Sequence, residues 1–257
     1  MNYYAASHTD VGIKKDTNQD SFCILQAQTE KGNILMAVVC DGMGGLESGE
    51  VASASIICAF KEWFEKELPF TLSLDTYYDE VKFSWDRIIK TQNRSIAEYG
   101  RQRHFQLGST ITAMIFFEDG GYLIGHVGDS RAYMINNNAL SVLTADQTVV
   151  ANEVRLGRLT PEQARKDPRR NVLLQCIGAS RIVEPGYYSG TAHPGECYML
   201  CSDGFRHVIS EAEILGAFAP AVNNDEQQMK NNIVRLTELN KSRGETDNIT
   251  ALLIRTY

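Results

Sequence analysis

The stretch that decides the fold is AVVCDGMGGLESGEVAS, residues 37–53. An apolar run ends in Asp41, three of the next four residues are glycine, and a helical pattern begins after them. The pattern is an apolar run followed by a carboxylate and a glycine-rich loop. It indicates one of two kinds of site. The first is a nucleotide cradle, and the second is a metal site.

The composition is that of an ordinary globular protein, with 257 residues, 43% hydrophobic and 22% charged. A net charge of −7 argues against a nucleic-acid partner, which would need phosphate-neutralising cations. Apolar runs stay shorter than the roughly 18 residues that span a bilayer, and the first ten residues lack signal-peptide features, so we expect no membrane partner. Without repeats or a flexible linker, residues 1–257 are predicted to form a single domain and a monomer.

The six cysteines include no CxxC pair, and three of them lie inside apolar runs. Buried, reduced thiols are therefore predicted, in preference to a zinc site or a disulfide framework. Reduced cysteines are typical of a cytoplasmic protein, which is the location we expect.

The hydrophobic pattern predicts strands and helices in mixed order. Strands are predicted over 21–25, 33–40, 109–117, 121–127, 131–135, 197–201 and 249–254. Helices are predicted over 48–68, 81–97, 211–218 and 226–241. Neighbouring strands joined by short turns, such as EDGG at 118–121, favour antiparallel sheets under helices over a doubly wound parallel sheet.

A long, mostly polar segment covers residues 144–178. Its TPEQ motif at 160–163 predicts a helix start, with Thr160 as the cap and Pro161 in the first turn. Such an excursion is either a solvated helical insertion or a lid beside a functional site. The residues alone leave both interpretations open.

Five aspartates stand next to predicted strands: Asp20, Asp41, Asp129, Asp203 and Asp247. Each alone is an ordinary turn residue. In antiparallel sheets, however, acids at the N-terminal end of one strand and at the C-terminal end of another can lie at the same edge. Carboxylates gathered there would repel one another unless cations lay between them. An all-oxygen set without histidine suits Mg²⁺ or Mn²⁺.

The same reasoning decides between the two sites. A dinucleotide cradle needs glycine at the sixth position of GMGGLE, where Glu47 stands, and no P-loop lysine follows. Asp41 would also face a pyrophosphate with the wrong charge. The glycine-rich loop is therefore predicted to lie beside metal ions, two of which can hold and activate a bridging water.

Several motifs occur together in a characteristic order. They are TDVGIKKDTNQDSF (9–22), VCDGMGGLESGEVAS (39–53), GHVGDSRAY (125–133), LTADQT (143–148), LCSDGF (200–205) and TDNIT (246–250). With them the sequence resembles the metal-dependent protein phosphatases of type 2C, in their bacterial form. The resemblance implies an α+β fold, a four-layer α/β/β/α sandwich of two central antiparallel sheets flanked by helices. It also implies that 144–178 is a flap beside the active site.

The resemblance further implies which residues bind metal. Asp41 would bridge two ions, and the Gly42 carbonyl would be a further ligand. Asp203 and Asp247 would complete the shell of the first ion, and Asp20 would serve the second, directly or through water.

A third, weaker ion is typical of bacterial members, and here Asp129 would help Asp203 to bind it. Three positions differ from patterns found in the family. Met43 stands where many eukaryotic members have a histidine, as it does in bacterial relatives. The arginine that contacts the substrate phosphate is replaced by Lys15, which keeps the charge but loses the bidentate fork, and the adjacent Lys14 is a competing candidate. Gln147 stands where bacterial relatives often have histidine.

The predicted function is hydrolysis of phosphoserine and phosphothreonine in proteins, by direct attack of a metal-bridging water held at Asp41. The cofactors would be two Mn²⁺ or Mg²⁺ ions, and the reaction would reverse a bacterial Ser/Thr kinase. Two alternatives stay open on the sequence. One is a phosphopeptide-binding module on the same fold, and the other is a phosphatase for small phosphoesters.

Overall fold

Eleven strands and eight α-helices form the part of the chain that the computed structural model describes, residues 1–44 and 48–257. The strands are β1 Tyr3–Asp10, β2 Asp20–Thr29, β3 Gly32–Gly44, β4 Leu107–Ser109, β5 Ile111–Phe116, β6 Gly121–Val127, β7 Arg131–Ile135, β8 Leu140–Val142, β9 Gly186–Thr191, β10 Cys197–Cys201 and β11 Ile249–Thr256. The helices are α1 Gly49–Lys66, α2 Leu68–Leu72, α3 Tyr77–Arg103, α4 Val149–Arg155, α5 Pro161–Lys166, α6 Asp203–Arg206, α7 Glu211–Phe218 and α8 Glu226–Ser242. Among these helices, none is both long and apolar enough to cross a membrane.

The strands form two sheets in which the paired strands run antiparallel. The first sheet has the order β1-β11-β10-β7-β8, and the second has the order β2-β3-β5-β6-β9, with β4 paired to β3. The predicted antiparallel arrangement is confirmed. It places both ends of the chain, through β1 and β11, side by side in the first sheet.

Alternation along β3 explains how the layers stack. Ile34, Met36, Val38 and Cys40 pack under the helices α1 and α3, whereas Leu35 and its alternate neighbours face the other sheet. Both faces of the strand are buried, so its sequence reads as a continuous apolar run and not as an alternating one.

Three apolar clusters separate four layers, which confirms the predicted α/β/β/α sandwich. Trp63 and Trp85 join α1 and α3 outside the second sheet, with ring centroids 5.8 Å apart. Phe205 stacks on Phe218 at 6.0 Å outside the first sheet, beneath α7 and α8. Between the sheets, Phe116 of β5 meets Tyr198 of β10 edge-on at 5.0 Å, together with the other residues of the central cluster.

Some predicted boundaries were wrong. The strand predicted over 33–40 continues to Gly44, so that Asp41 lies inside β3 and not after it. The strand predicted over 109–117 is two strands, because the chain at Thr110 leaves the sheet ladder and Ser109 bridges to Ile177 instead. The helix predicted over 81–97 runs from Tyr77 to Arg103.

Other elements had no prediction. Strands β1 and β9 were missed because they contain no Val, Ile, Leu, Met or Phe, and β8 was missed because it is only three residues long. Strands β8 and β9 also lie at sheet edges with largely exposed side chains. The helix predicted over 48–68 ends at Lys66, and the separate short helix α2 follows with Pro69 in its first turn. Strands β6, β7 and β10 and helix α7 have the predicted bounds.

The segment 144–178 contains α4 and α5 and returns to the sheet edge. The predicted helix start is confirmed, since Thr160 and Gln163 form a capping box at the head of α5. An isolated bridge pairs Ile177 with Ser109 and fixes the C-terminal end of the segment to the body of the fold, whereas the bridge between Thr148 and Leu173 joins two parts of the segment to each other.

The cysteines agree with the predicted reduced state. All six are free, and five are buried, whereas Cys58 is exposed. Burial raises the pKa of Cys201 to about 12, which keeps this thiol protonated at neutral pH.

The layer between the sheets makes a testable contribution to stability. Because Phe116 is fully buried there, Phe116→Ala should lower the free energy of unfolding by about 3–5 kcal/mol. Phe70→Ala, at a side chain that is 72% exposed, is the matched control and should change it by about 0.5 kcal/mol or less. Urea unfolding of both variants measures the difference. Similar losses for the two would contradict the four-layer packing.

Candidate metal centre

Asp20 and Asp41 meet across the first strand pair of the second sheet. Asp20 opens β2 and is the register partner of Asp41 in β3, so their Cβ atoms lie roughly 5 Å apart. The neighbouring Gly42 donates its N–H to the Gln19 carbonyl at 3.1 Å. A side chain at Gly42 would come within 2.3 Å of the Gly49 carbonyl oxygen, so only glycine allows this approach.

Asp203 and Asp247 approach the same edge from the first sheet. Asp203 begins α6 directly after β10, and Asp247 lies just before β11, the neighbour of β10. A side chain on Gly204 would come within 2.2 Å of the Asn248 carbonyl and 3.2 Å of the Asp247 Cβ. The glycine therefore allows the first turn of α6 to pack directly on the loop that carries Asp247.

Asp129 is linked to the edge by Thr110. The Thr110 hydroxyl accepts the Asp41 N–H at 3.0 Å and lies 2.8 Å from the Ser130 hydroxyl, next to Asp129 in the β6–β7 turn. One buried side chain thus connects the backbone of Asp41 with the turn that carries Asp129. The interruption between β4 and β5 is the feature that leaves Thr110 available for this contact.

Crowding of these carboxylates appears in their proton affinities. Burial raises the pKa of Asp20 to about 7, and the charges of Asp203 and Asp247 add to the shift. Burial and the charges of the other four aspartates raise the pKa of Asp41 well above its usual range. Burial, followed by the charge of Asp203, raises the pKa of Asp129 to about 7. Asp41 is therefore under the electrostatic influence of the other four aspartates.

Two oxygens in the group have no hydrogen-bond partner. Asp20 Oδ1 and Asp203 Oδ1 are both buried and unpaired among the described residues, although Asp20 Oδ2 accepts from the Ser202 hydroxyl at 2.8 Å. Buried charged oxygens without a partner are costly, and a cation would compensate them. Hard divalent ions suit an all-oxygen donor set, so the donor types fit Mg²⁺ or Mn²⁺.

The carboxylates provide suitable donor atoms, but their spacing does not by itself form a metal site. Within residues 1–44 and 48–257, no three His, Cys, Asp or Glu side chains form a group that could hold a metal ion as they stand. Mutual repulsion keeps like charges apart, so the carboxylates would close further around an ion. Residues 45–47, which include the Glu47 that argued against a nucleotide cradle, lie outside the described residues.

A link between Asp203 and Asp247 through Glu245 and His207, which braces the two aspartates, was not predicted. Glu245 Oε1 accepts the N–H groups of Thr246 at 2.8 Å and Asp247 at 2.9 Å. Its other oxygen lies 3.4 Å from Nδ1 of His207, whose Nε2 lies 3.3 Å from Asp203 Oδ2. The proximity of Glu245 to Asp247 in sequence was the only signal, and it does not show that the carboxylate folds back on the chain.

Lys15 lies at the mouth of the acid cluster. Its Nζ is 3.1 Å from Asp247 Oδ1, and its side chain is 42% exposed. The loop that carries it is held by Asn248, whose amide nitrogen donates to the carbonyls of Val11 at 2.9 Å and Thr17 at 3.2 Å. Lys14 is exposed on the same loop as Lys15, but of these two lysines only Lys15 forms an ion pair with the acid cluster within the described residues, which favours Lys15 of the two candidates.

The comparisons with known proteins agree with this geometry. The family model described as Protein phosphatase 2C matches residues 6–240. The chain belongs to the protein phosphatase 2C family. The family and the α+β fold expected from the motifs are thereby confirmed.

Relatives of this phosphatase 2C chain match it over nearly its whole length. The serine/threonine phosphatase stp of Listeria welshimeri is 30% identical over 98% of this chain and 95% of its own. The solved structure of a serine/threonine phosphatase of S. agalactiae superposes with a TM-score of 0.85, at 29% identity over 100% of both chains. A PstP catalytic domain solved in complex with two manganese ions has a TM-score of 0.79, at 28% identity over 98% of this chain and 97% of its own.

The raised pKa of Asp20 predicts how the metal-free phosphatase 2C chain responds to pH. Between about pH 4 and 7 the folded state binds a proton at Asp20 that the unfolded chain has released, so stability is highest at the acid end and falls as pH rises towards 7. Asp20→Asn removes this contribution and should flatten the fall in melting temperature measured in EDTA from pH 5 to 8. The control, Asp16→Asn, changes an exposed acid and should keep the wild-type slope. Equal slopes for wild type and Asp20→Asn would contradict the proposed contribution of Asp20 protonation to stability.

Proposed function

We propose that this chain hydrolyses phosphoserine and phosphothreonine in proteins with the help of Mn²⁺ or Mg²⁺. The observation that carries the proposal is the convergence of five aspartates from both sheets on one edge, with two buried oxygens unpaired among the described residues. Family membership supports it, as do relatives named serine/threonine phosphatases and the PstP domain that holds two manganese ions.

The proposed ligands follow from their places at the edge. Asp41 is under the electrostatic influence of each of the other four aspartates and would be shared by two ions, with the Gly42 carbonyl beside it. Asp203 and Asp247, braced together, would hold the first ion, and Asp20 would serve the second. Bound there, divalent ions supply an activated water and neutralise charge on the phosphoryl group.

The remaining work falls to protein groups. Lys15 would contact the substrate phosphate, because its ammonium group is half exposed and already pairs with an anion at the mouth of the site. Thr110 and Asn248 hold Asp41 and the Lys15 loop in place. Cys201 is unsuited to act as a covalent nucleophile, because its thiol is buried in β10 with a pKa of about 12. Direct attack by water on phosphorus is the proposed step.

We further propose that residues 144–178 act as the flap of the site. Gln147 donates its N–H to the Gly128 carbonyl at 2.8 Å, directly before Asp129, and its carbonyl accepts the N–H of Leu174 at 2.8 Å. The base of the segment is therefore attached to the metal edge. We also propose that residues 1–257 work as one catalytic domain, as a cytoplasmic monomer that opposes a bacterial Ser/Thr kinase.

Metal-dependent phosphate release tests the proposed reaction. With Mn²⁺, the chain should release phosphate from phosphoSer and phosphoThr peptides, and Asp41→Asn should reduce this roughly 100-fold or more. Asp16→Asn, at an exposed acid on the Lys15 loop, should retain wild-type turnover. Phosphopeptide binding without turnover would instead indicate a binding module. Turnover of small phosphoesters but not of peptides would indicate a small-molecule phosphatase.

The role of Lys15 has its own test. Lys15→Arg restores a bidentate fork, so the KM for a phosphothreonine peptide should fall roughly fivefold, as expected for one more hydrogen bond of ~1 kcal/mol. Lys14→Arg makes the same exchange one residue away and should leave KM unchanged. A KM that responds to position 14 and not to position 15 would assign the phosphate contact to the other lysine.

A further inference from the structure

A mostly shielded arginine, Arg206, stands beside Asp129. Arg206 is the last residue of α6, the helix that begins with Asp203, and its side chain is only 13% exposed. Its Nη2 donates to the Asp129 carbonyl at 2.9 Å and lies 3.9 Å from Asp129 Oδ2. The guanidinium therefore reaches both the backbone and the carboxylate of the residue proposed for a third metal ion.

The other acid near Arg206 already has a partner. Asp146 accepts hydrogen bonds from Nε and Nη2 of Arg131, each at 2.7 Å, and lies 3.5 Å from Arg206 Nη2. Two arginines and two aspartates thus form a mostly shielded group whose formal charges sum to zero. In that group Asp146 is matched by Arg131, so the charge of Arg206 remains to balance Asp129.

Arg206 cannot be neutralised by losing a proton, because a guanidinium stays charged in proteins. A divalent ion on the Asp129 carboxylate would lie within several ångströms of this fixed positive charge, in a setting where screening by water is weak. His207, directly after α6, has its Nε2 3.3 Å from Oδ2 of Asp203, the other aspartate that a third ion would use. Both carboxylates of such a site therefore already face basic side chains of the protein.

We propose that the Arg206 guanidinium takes the place of a third divalent ion at Asp129, so that this chain binds two ions and not three. The inference rests on the proposed function, because it assumes the two ions at Asp41. It assigns Arg206 the part of a positioning residue, which holds Asp129 and the β6–β7 turn without contacting substrate. No other described arginine or lysine lies within 4.0 Å of the Asp129 carboxylate.

Counting bound ions tests the proposal without measuring activity. In equilibrium dialysis against millimolar Mn²⁺, the wild type should hold two ions per chain, and Arg206→Met, which removes the charge, should hold three. Arg206→Lys keeps the charge and should hold two. Arg235→Met, at an exposed arginine of α8, is the matched control and should also hold two. Three ions on the wild type, or two on Arg206→Met, would overturn the proposal.

A second variant keeps the test decisive if Arg206→Met does not fold. Asp129→Asn in the wild-type background should leave two ions and their affinities unchanged, because the arginine proposal gives Asp129 no ion to lose. Loss of one ion on this change would overturn the proposal. Fewer than two ions on the wild type would instead speak against the proposed function, so the two failures are distinguishable.

Discussion

Repulsion among buried carboxylates is the constraint on which the rest of this structure depends. Asp20, Asp129 and Asp203 are each less than a tenth exposed, and burial, together with neighbouring carboxylate charges, raises the pKa values of Asp20 and Asp129. A fold that carries such a group needs stability from elsewhere. The three apolar clusters supply it, because they bury both faces of each central sheet and leave the charged edge at the strand ends.

Antiparallel topology is what lets acids from opposite strand ends meet. Asp20 begins its strand and Asp41 lies near the end of the next, yet antiparallel register makes them direct partners. In the other sheet, β10 and β11 also pair antiparallel. The end of β10, which Asp203 follows, therefore lies beside the start of β11, which Asp247 precedes. The two sheets then face each other across a shared core, so two acidic pairs become one group.

Much of this could be predicted from residues that carry strong local signals. The apolar runs of β6, β7 and β10 gave their bounds, and TPEQ gave the cap of α5. Strand β1 was missed because its pattern is mostly polar and its pairing with β11 spans nearly the whole chain. Glu245 and Arg206 were missed for another reason. Their roles depend on where a side chain turns after folding, and no periodicity records that.

Two basic side chains, Lys15 and Arg206, lie beside the acid group, and their surroundings give them different roles. Lys15 is half exposed and pairs with one carboxylate oxygen, so water screens the pair and an incoming phosphate can replace Asp247 as its partner. The Arg206 side chain is only 13% exposed and contacts a backbone carbonyl as well as two carboxylates, so releasing it would leave a charge without partners. Lys15 can therefore exchange its carboxylate partner for a phosphate, whereas Arg206 keeps its partners within the protein. That difference in burial explains why the lysine is suited to the substrate and the arginine to the protein's own aspartates.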